Sequence, residues 1–114
     1  MQVSFKGYSS PIKTMWKRGE LPNVTRGLYG DILTIRNLSI EHLKPVSQGG
    51  RSELGNEALA SVYMNNLRGV RPLKEFVTKK MAWDYIGEFI NDKRGIIQYY
   101  VGELYETFKK LGVL

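Results

Sequence analysis

The run ILTIRNLSIEHL, residues 32–43, limits the fold more than any other stretch of the chain. It is rich in β-branched and apolar residues, and we place a strand over about Leu38–Leu43, with room for a shorter one before Asn37. Pro45 then breaks the pattern, and the polar run KPVSQGGRSELG, with its glycine pair Gly49-Gly50, reads as a loop. EALA, residues 57–60, reads either as a second strand or as the start of a helix. Ser61 is a candidate N-cap for VYMNNLR, and Gly69 its stop.

The flanks read as helix. Ser10-Pro11 supplies an N-cap followed by proline at the first helical position, and Gly19 closes the short helix PIKTMWKR. GELPNVTRGLYGD is rich in turn formers and reads as irregular chain. From Pro72 the pattern is helical, with Leu73, Phe76, Val77, Met81, Tyr85, Phe89 and Ile90 on one broad stripe that ends at NDKRG. Ile97, Tyr100, Val101, Leu104, Tyr105, Phe108 and Leu111 make a second stripe. Aromatic stripes at this spacing are core faces. The expected class is α+β, a small sheet with helices from both ends of the chain.

A chain of 114 residues with 42% hydrophobic residues suits one domain, 1–114, with a modest core. Without cysteine there is neither a disulfide nor a cysteine-held zinc. The first residues, Met1–Gly7, carry Lys6 and lack the apolar segment of a signal peptide. No apolar run approaches the roughly 18 residues that span a bilayer. These features point to an intracellular, cytoplasmic protein with no membrane partner.

The net charge of +6 is unevenly spread. Residues 1–30 hold five bases and one acid (+4), residues 31–80 eight bases and five acids (+3), and residues 81–114 four bases and five acids (−1). A basic excess confined to the first 80 residues suits a polyanion such as nucleic acid, and equally a merely solvated basic surface.

The one histidine of the chain, His42, stands in the pattern that carries chemistry. In order come Glu41-His42, Pro45, Gly49-Gly50, Asn56, Asn65 and Gly69, in EHLKPVSQGG, NEALAS and NNLRG. Over about residues 31–75 this spacing resembles the HNH endonuclease family, built on the ββα-metal motif and common in phages and mobile elements. The chain departs from many members in having glutamate before the histidine and no zinc-binding cysteine pairs.

The resemblance implies a ββα-metal core, about residues 31–75, braced by the flanks 1–30 and 76–114. It implies a metal-dependent hydrolase of DNA phosphodiester bonds. His42 would be the general base, since a neutral imidazole takes a proton near neutral pH. Glu41 and Asn65 would hold one divalent ion, Mg²⁺ or Mn²⁺, which prefers oxygen ligands and keeps most of its waters. Asn56 would tie the loop, and Lys44, Arg51, Arg68 and Arg71 would contact phosphates of the DNA. No structural zinc is expected. A monomer would nick and a homodimer could cut both strands; a phage or host protein partner stays open. A module that binds nucleic acid without cleaving it is the rival reading, and an interaction protein built on the aromatic C-terminal helices is a third.

Overall fold

The computed structural model describes residues 10–114, so the reading of residues 1–7 lies outside the described residues. Helix α1 spans Pro11–Lys17, strand β1 Leu38–His42, strand β2 Glu57–Ser61, and helix α2 Val62–Arg68. Helices α3, Lys79–Gly87, and α4, Gly95–Lys110, complete the chain. The two strands pair antiparallel, with Ile40 opposite Leu59, Glu41 opposite Ala58 and His42 opposite Glu57. The result is an α+β fold with a two-stranded sheet.

Local chemistry explains most boundaries. Ser10 caps α1 by accepting from the Lys13 N–H, with Pro11 at the first helical position. Arg18 closes α1, and Gly19 leaves it with a φ of +68°. EALA is strand rather than helix, because Ser61 ends it by accepting from the Met64 N–H and opening α2. Gly69, at a φ of +58°, stops that helix.

Two expectations need correction. The stripe from Pro72 is not one helix: Leu73–Glu75 form a single 3-10 turn, and the chain then restarts at Thr78, whose hydroxyl accepts from the Met81 N–H. A good N-cap three residues past that turn makes two short elements cheaper than one long one. The stripe nevertheless meets the core, with Leu73, Val77, Tyr85 and Phe89 buried, although Ile90 is exposed. The second correction concerns the segment before Asn37. There, Ile32 makes only an isolated bridge to Arg26, and no strand forms.

The core is continuous from Ile12 and Met15 of α1, through Leu28, Leu43 and Leu59, to Tyr85, Phe89, Ile97, Tyr100, Leu104 and Phe108. Full burial of each such side chain contributes roughly 1.5–3 kcal/mol. Phe89 meets Tyr85 and Tyr100 edge-on, both with centroids 5.1 Å apart. The outer edge of β2 is covered in turn. Leu28 N–H donates to the Leu59 carbonyl, Leu59 N–H donates to the Tyr85 hydroxyl, Tyr100 hydroxyl donates to the Glu57 carbonyl, and Ser61 N–H donates to Asp31. Burial pushes both tyrosine hydroxyls well above the ordinary phenol range, so they stay protonated.

The loop between the strands folds back on itself. A Cβ added at Gly50 would lie 1.9 Å from the Lys44 carbonyl oxygen, whereas at Gly49 the constraint is a φ of +93°. Gly50→Ala therefore forces the loop backbone apart, and is expected to cost ~3 kcal/mol or more. Gly49→Ala should cost only about 1–2 kcal/mol. Urea unfolding of the two variants checks the order; equal losses would mean that the close approach at Gly50 is not a constraint.

Candidate nucleic-acid active site

Asn56 is the hinge of the loop. It is buried, its Oδ1 accepts from the Lys44 N–H at 2.8 Å, and its Nδ2 donates to the carbonyls of Lys44 and Arg51 at 3.0 and 2.9 Å. The Asn56 carbonyl also accepts from the Leu43 N–H at 2.9 Å. One side chain thus closes both ends of the loop just beyond His42, because an amide carries two donor hydrogens and an acceptor oxygen together.

Helix α2 is laid along β1 by two of its side chains. Asn65 donates through Nδ2 to Ser39 Oγ at 3.1 Å and to the Ile40 carbonyl at 3.0 Å. These bonds fix the amide, leaving Oδ1 as its oxygen acceptor. Asn66, the next residue, is exposed. Arg68 is 1% exposed and donates to the carbonyls of His42, Leu43 and Arg71 at 3.0, 2.8 and 2.8 Å. Asn65 and Arg68 therefore grip β1 on either side of Glu41.

Arg68 corrects an expectation. Its donors are spent on backbone carbonyls inside the protein, so it is not available to a phosphate. Spacing alone shows that Arg68 is near the site, and burial decides what it does there. Lys44 and Arg51 are exposed on the loop. Arg71 is exposed but already lies over the Phe76 ring at 4.6 Å and donates to the carbonyls of Leu67 and Arg68.

Glu41 and His42 point to opposite faces, as neighbours on a strand must. Glu41 is turned into the protein at 4% exposure, accepts from the Tyr29 hydroxyl, and lies 3.6 Å from Arg68. Desolvation pushes its carboxyl above the usual carboxylate range, while Tyr29 and Arg68 pull it back. Desolvation, reinforced by the Glu41 charge, also pushes the Tyr29 hydroxyl far up, so it remains a donor.

His42 ends β1 and faces an open pocket of about 410 Å³, walled by Ser10, Lys13 and Trp16 of the α1 region and by Ser52 of the loop. Its Nε2 is 3.0 Å from Ser52 Oγ and 3.5 Å from a carboxylate oxygen of Glu57. Glu57 is fully buried, and its other oxygen accepts from Ser10 Oγ at 2.8 Å and from the Ile12 N–H at 3.2 Å. Sequence reasoning missed Glu57, Ser52 and Tyr29. Glu57 was the findable one: once EALA is strand, the residue after Asn56 falls opposite His42.

Glu41 and Asn65 offer one carboxylate and one amide oxygen, donor types that a hard divalent cation prefers, but Glu41 is buried and already engaged by Tyr29 and Arg68, so an ion there would compete with the Arg68 cation. Among the described residues no group of three or more His, Cys, Asp or Glu is arranged for a metal. Comparison of the chain with family models, with curated proteins and with solved structures finds no match in any of the three.

The Glu41–Arg68 pair is expected to behave as a compensated buried unit. Arg68→Met should cost about 3–5 kcal/mol, because it leaves a buried carboxylate without its cation. Adding Glu41→Gln should recover part of that loss. Thermal or urea unfolding of the single and double variants measures the coupling, and strict additivity would show that the two groups do not compensate one another.

Proposed function

We propose that the chain is a metal-dependent endonuclease that hydrolyses DNA phosphodiester bonds, with His42 as general base. The observation that supports this most is the grip of α2 on β1. Asn65 and Arg68 bond to strand carbonyls on either side of Glu41, and Asn56 closes the loop that follows His42. Glu41 and His42 are thereby fixed at one strand end, on its two faces, next to the loop that Asn56 ties and the helix that carries Asn65.

In this reading Glu41 and Asn65 would hold a divalent cation, Mg²⁺ or Mn²⁺, which would supply positive charge for the phosphoryl oxygens and the leaving oxygen. His42 takes a proton from a water in its pocket; the water oxygen bonds to phosphorus as the bond to the leaving oxygen breaks. The leaving oxygen takes up a proton from solvent. Lys44 and Arg51, exposed on the loop, are the cations that contact the DNA backbone.

One observation favours a second reading, a binding module that does not cleave. Glu41 is already compensated by Arg68 and Tyr29. Supercoiled plasmid separates the two. Nicked circles that form with Mg²⁺ or Mn²⁺ and vanish with EDTA are expected. His42→Ala should abolish them while leaving DNA affinity within a few-fold, because affinity comes from phosphate contacts. Binding without nicking under every metal would give the second reading the field.

Asn65 and Asn66 supply an internal control. Successive helical residues point about 100° apart, so only one can serve the ion. Asn65 is turned to β1 and Asn66 to solvent. Asn65→Ala should lose far more nicking than Asn66→Ala at limiting Mg²⁺, and excess metal should partly restore it. A larger metal-sensitive defect in Asn66→Ala would remove Asn65 as the ligand.

A further inference from the structure

We propose that Glu57 is a positioning residue for His42: its buried carboxylate holds the imidazole as the Nε2–H tautomer and leaves the Nδ1 lone pair as the basic atom. The proposal rests on the reading of His42 as the general base.

The argument starts from an oxygen without a partner. Glu57 is 0% exposed, and its Oε1 is committed to Ser10 Oγ and the Ile12 N–H in the first turn of α1. Its Oε2 is buried and has no hydrogen-bond partner among the described residues. A buried carboxylate oxygen left alone is costly, so what lies against it has to be favourable. The group there is His42 Nε2, at 3.5 Å.

A neutral imidazole carries its proton on one nitrogen and a lone pair on the other. A lone pair at Nε2 would face the carboxylate directly and be repelled. An N–H at Nε2 presents its positive end and can donate to Ser52 Oγ at 3.0 Å. Lys13 also lines this pocket, from α1, and Ser10 with it. Neither lies between Glu57 Oε2 and the ring in any recorded contact. The assignment has a second consequence. With Nε2 protonated, Ser52 is an acceptor, and the ring does not activate its hydroxyl as a nucleophile. The proton-accepting atom is Nδ1.

His42 is the one histidine in the chain, so a long-range ¹H–¹⁵N spectrum of the labelled protein in alkaline buffer reads a single ring. The wild type should show Nε2–H as the dominant tautomer. In Glu57→Gln the carbonyl must take the place of Oε1, where Ser10 and Ile12 donate, so the amide NH₂ faces Nε2. The ring should invert to Nδ1–H, and plasmid nicking should fall by ~10²-fold or more, as when a triad imidazole is held in the wrong tautomer. Ser52→Ala should keep Nε2–H. An Nδ1–H ring in the wild type, an unchanged ring in Glu57→Gln, or inversion in Ser52→Ala would each overturn the proposal. If Glu57→Gln does not fold, the wild-type and Ser52→Ala spectra still decide it. A wild type that shows Nε2–H but never nicks plasmid upholds the tautomer assignment and removes the nuclease reading alone.

Discussion

The Arg68 guanidinium holds the two halves of the central motif together. It is a planar fork of donors, and here three of them end on carbonyls of the chain, two of those at the junction of β1 with its loop. His42 is the last paired residue of β1 and Leu43 lies just beyond it, so the fork anchors these two carbonyls where the ladder stops. A lysine would reach one of them as a point charge; the fork reaches both at once. The cost of burying that cation is offset by Glu41, which is why a carboxylate is tolerated at 4% exposure beside it. Remove the fork, and α2 loses its fix on β1, Glu41 loses its counter-charge, and the strand end that presents His42 loses its backbone anchors.

Around that point the structure separates two jobs onto two faces of one strand. Glu41 looks inward, to α2 and Tyr29, in surroundings where charge is expensive. His42 looks outward, into a pocket walled by the loop and by α1. The alternation of side chains along a strand makes this division automatic for adjacent residues. Helix α1, which the sequence could not assign to any task, turns out to wall the pocket. Its first turn shares the Glu57 carboxylate with His42, so the seating of α1 and the orientation of the imidazole depend on the same group.

What the sequence disclosed was what local rules govern. Ser10 with Pro11, Ser61 and Gly69 announce helix ends through caps and a left-handed φ, and the structure uses them so. Asn56 was legible as a loop tie only through the resemblance, and its side-chain bonds to Lys44 and Arg51 agree with that role. The aromatic stripes named most of the helical core, with Ile90 and Tyr105 exposed instead, and they ran through the break in the first stripe because periodicity does not record a short interruption. Arg68 was misread because basic residues near a presumed site look alike until burial is known. Glu57 was missed for a different reason: its partner is set by strand register, and register was unfixed while EALA could still be a helix.

The two tyrosines against β2 have a consequence for how the molecule comes apart. A sheet of two strands has an open outer margin, ready to accept another strand. Here that margin is occupied by Leu28, Asp31 and the hydroxyls of Tyr85 and Tyr100, which stand in for the missing neighbour. Leu28 and Asp31 precede β1, whereas the two tyrosines come from α3 and α4, which follow later in the chain. The tyrosine part of this cover is shed when the C-terminal helices lift away, and the Leu59 amide becomes open to solvent exchange at that same moment. The helices that carry none of the proposed chemistry are then part of the guard against strand-to-strand association between copies, and their share of it depends on how firmly Tyr85, Phe89 and Tyr100 stay packed edge-on.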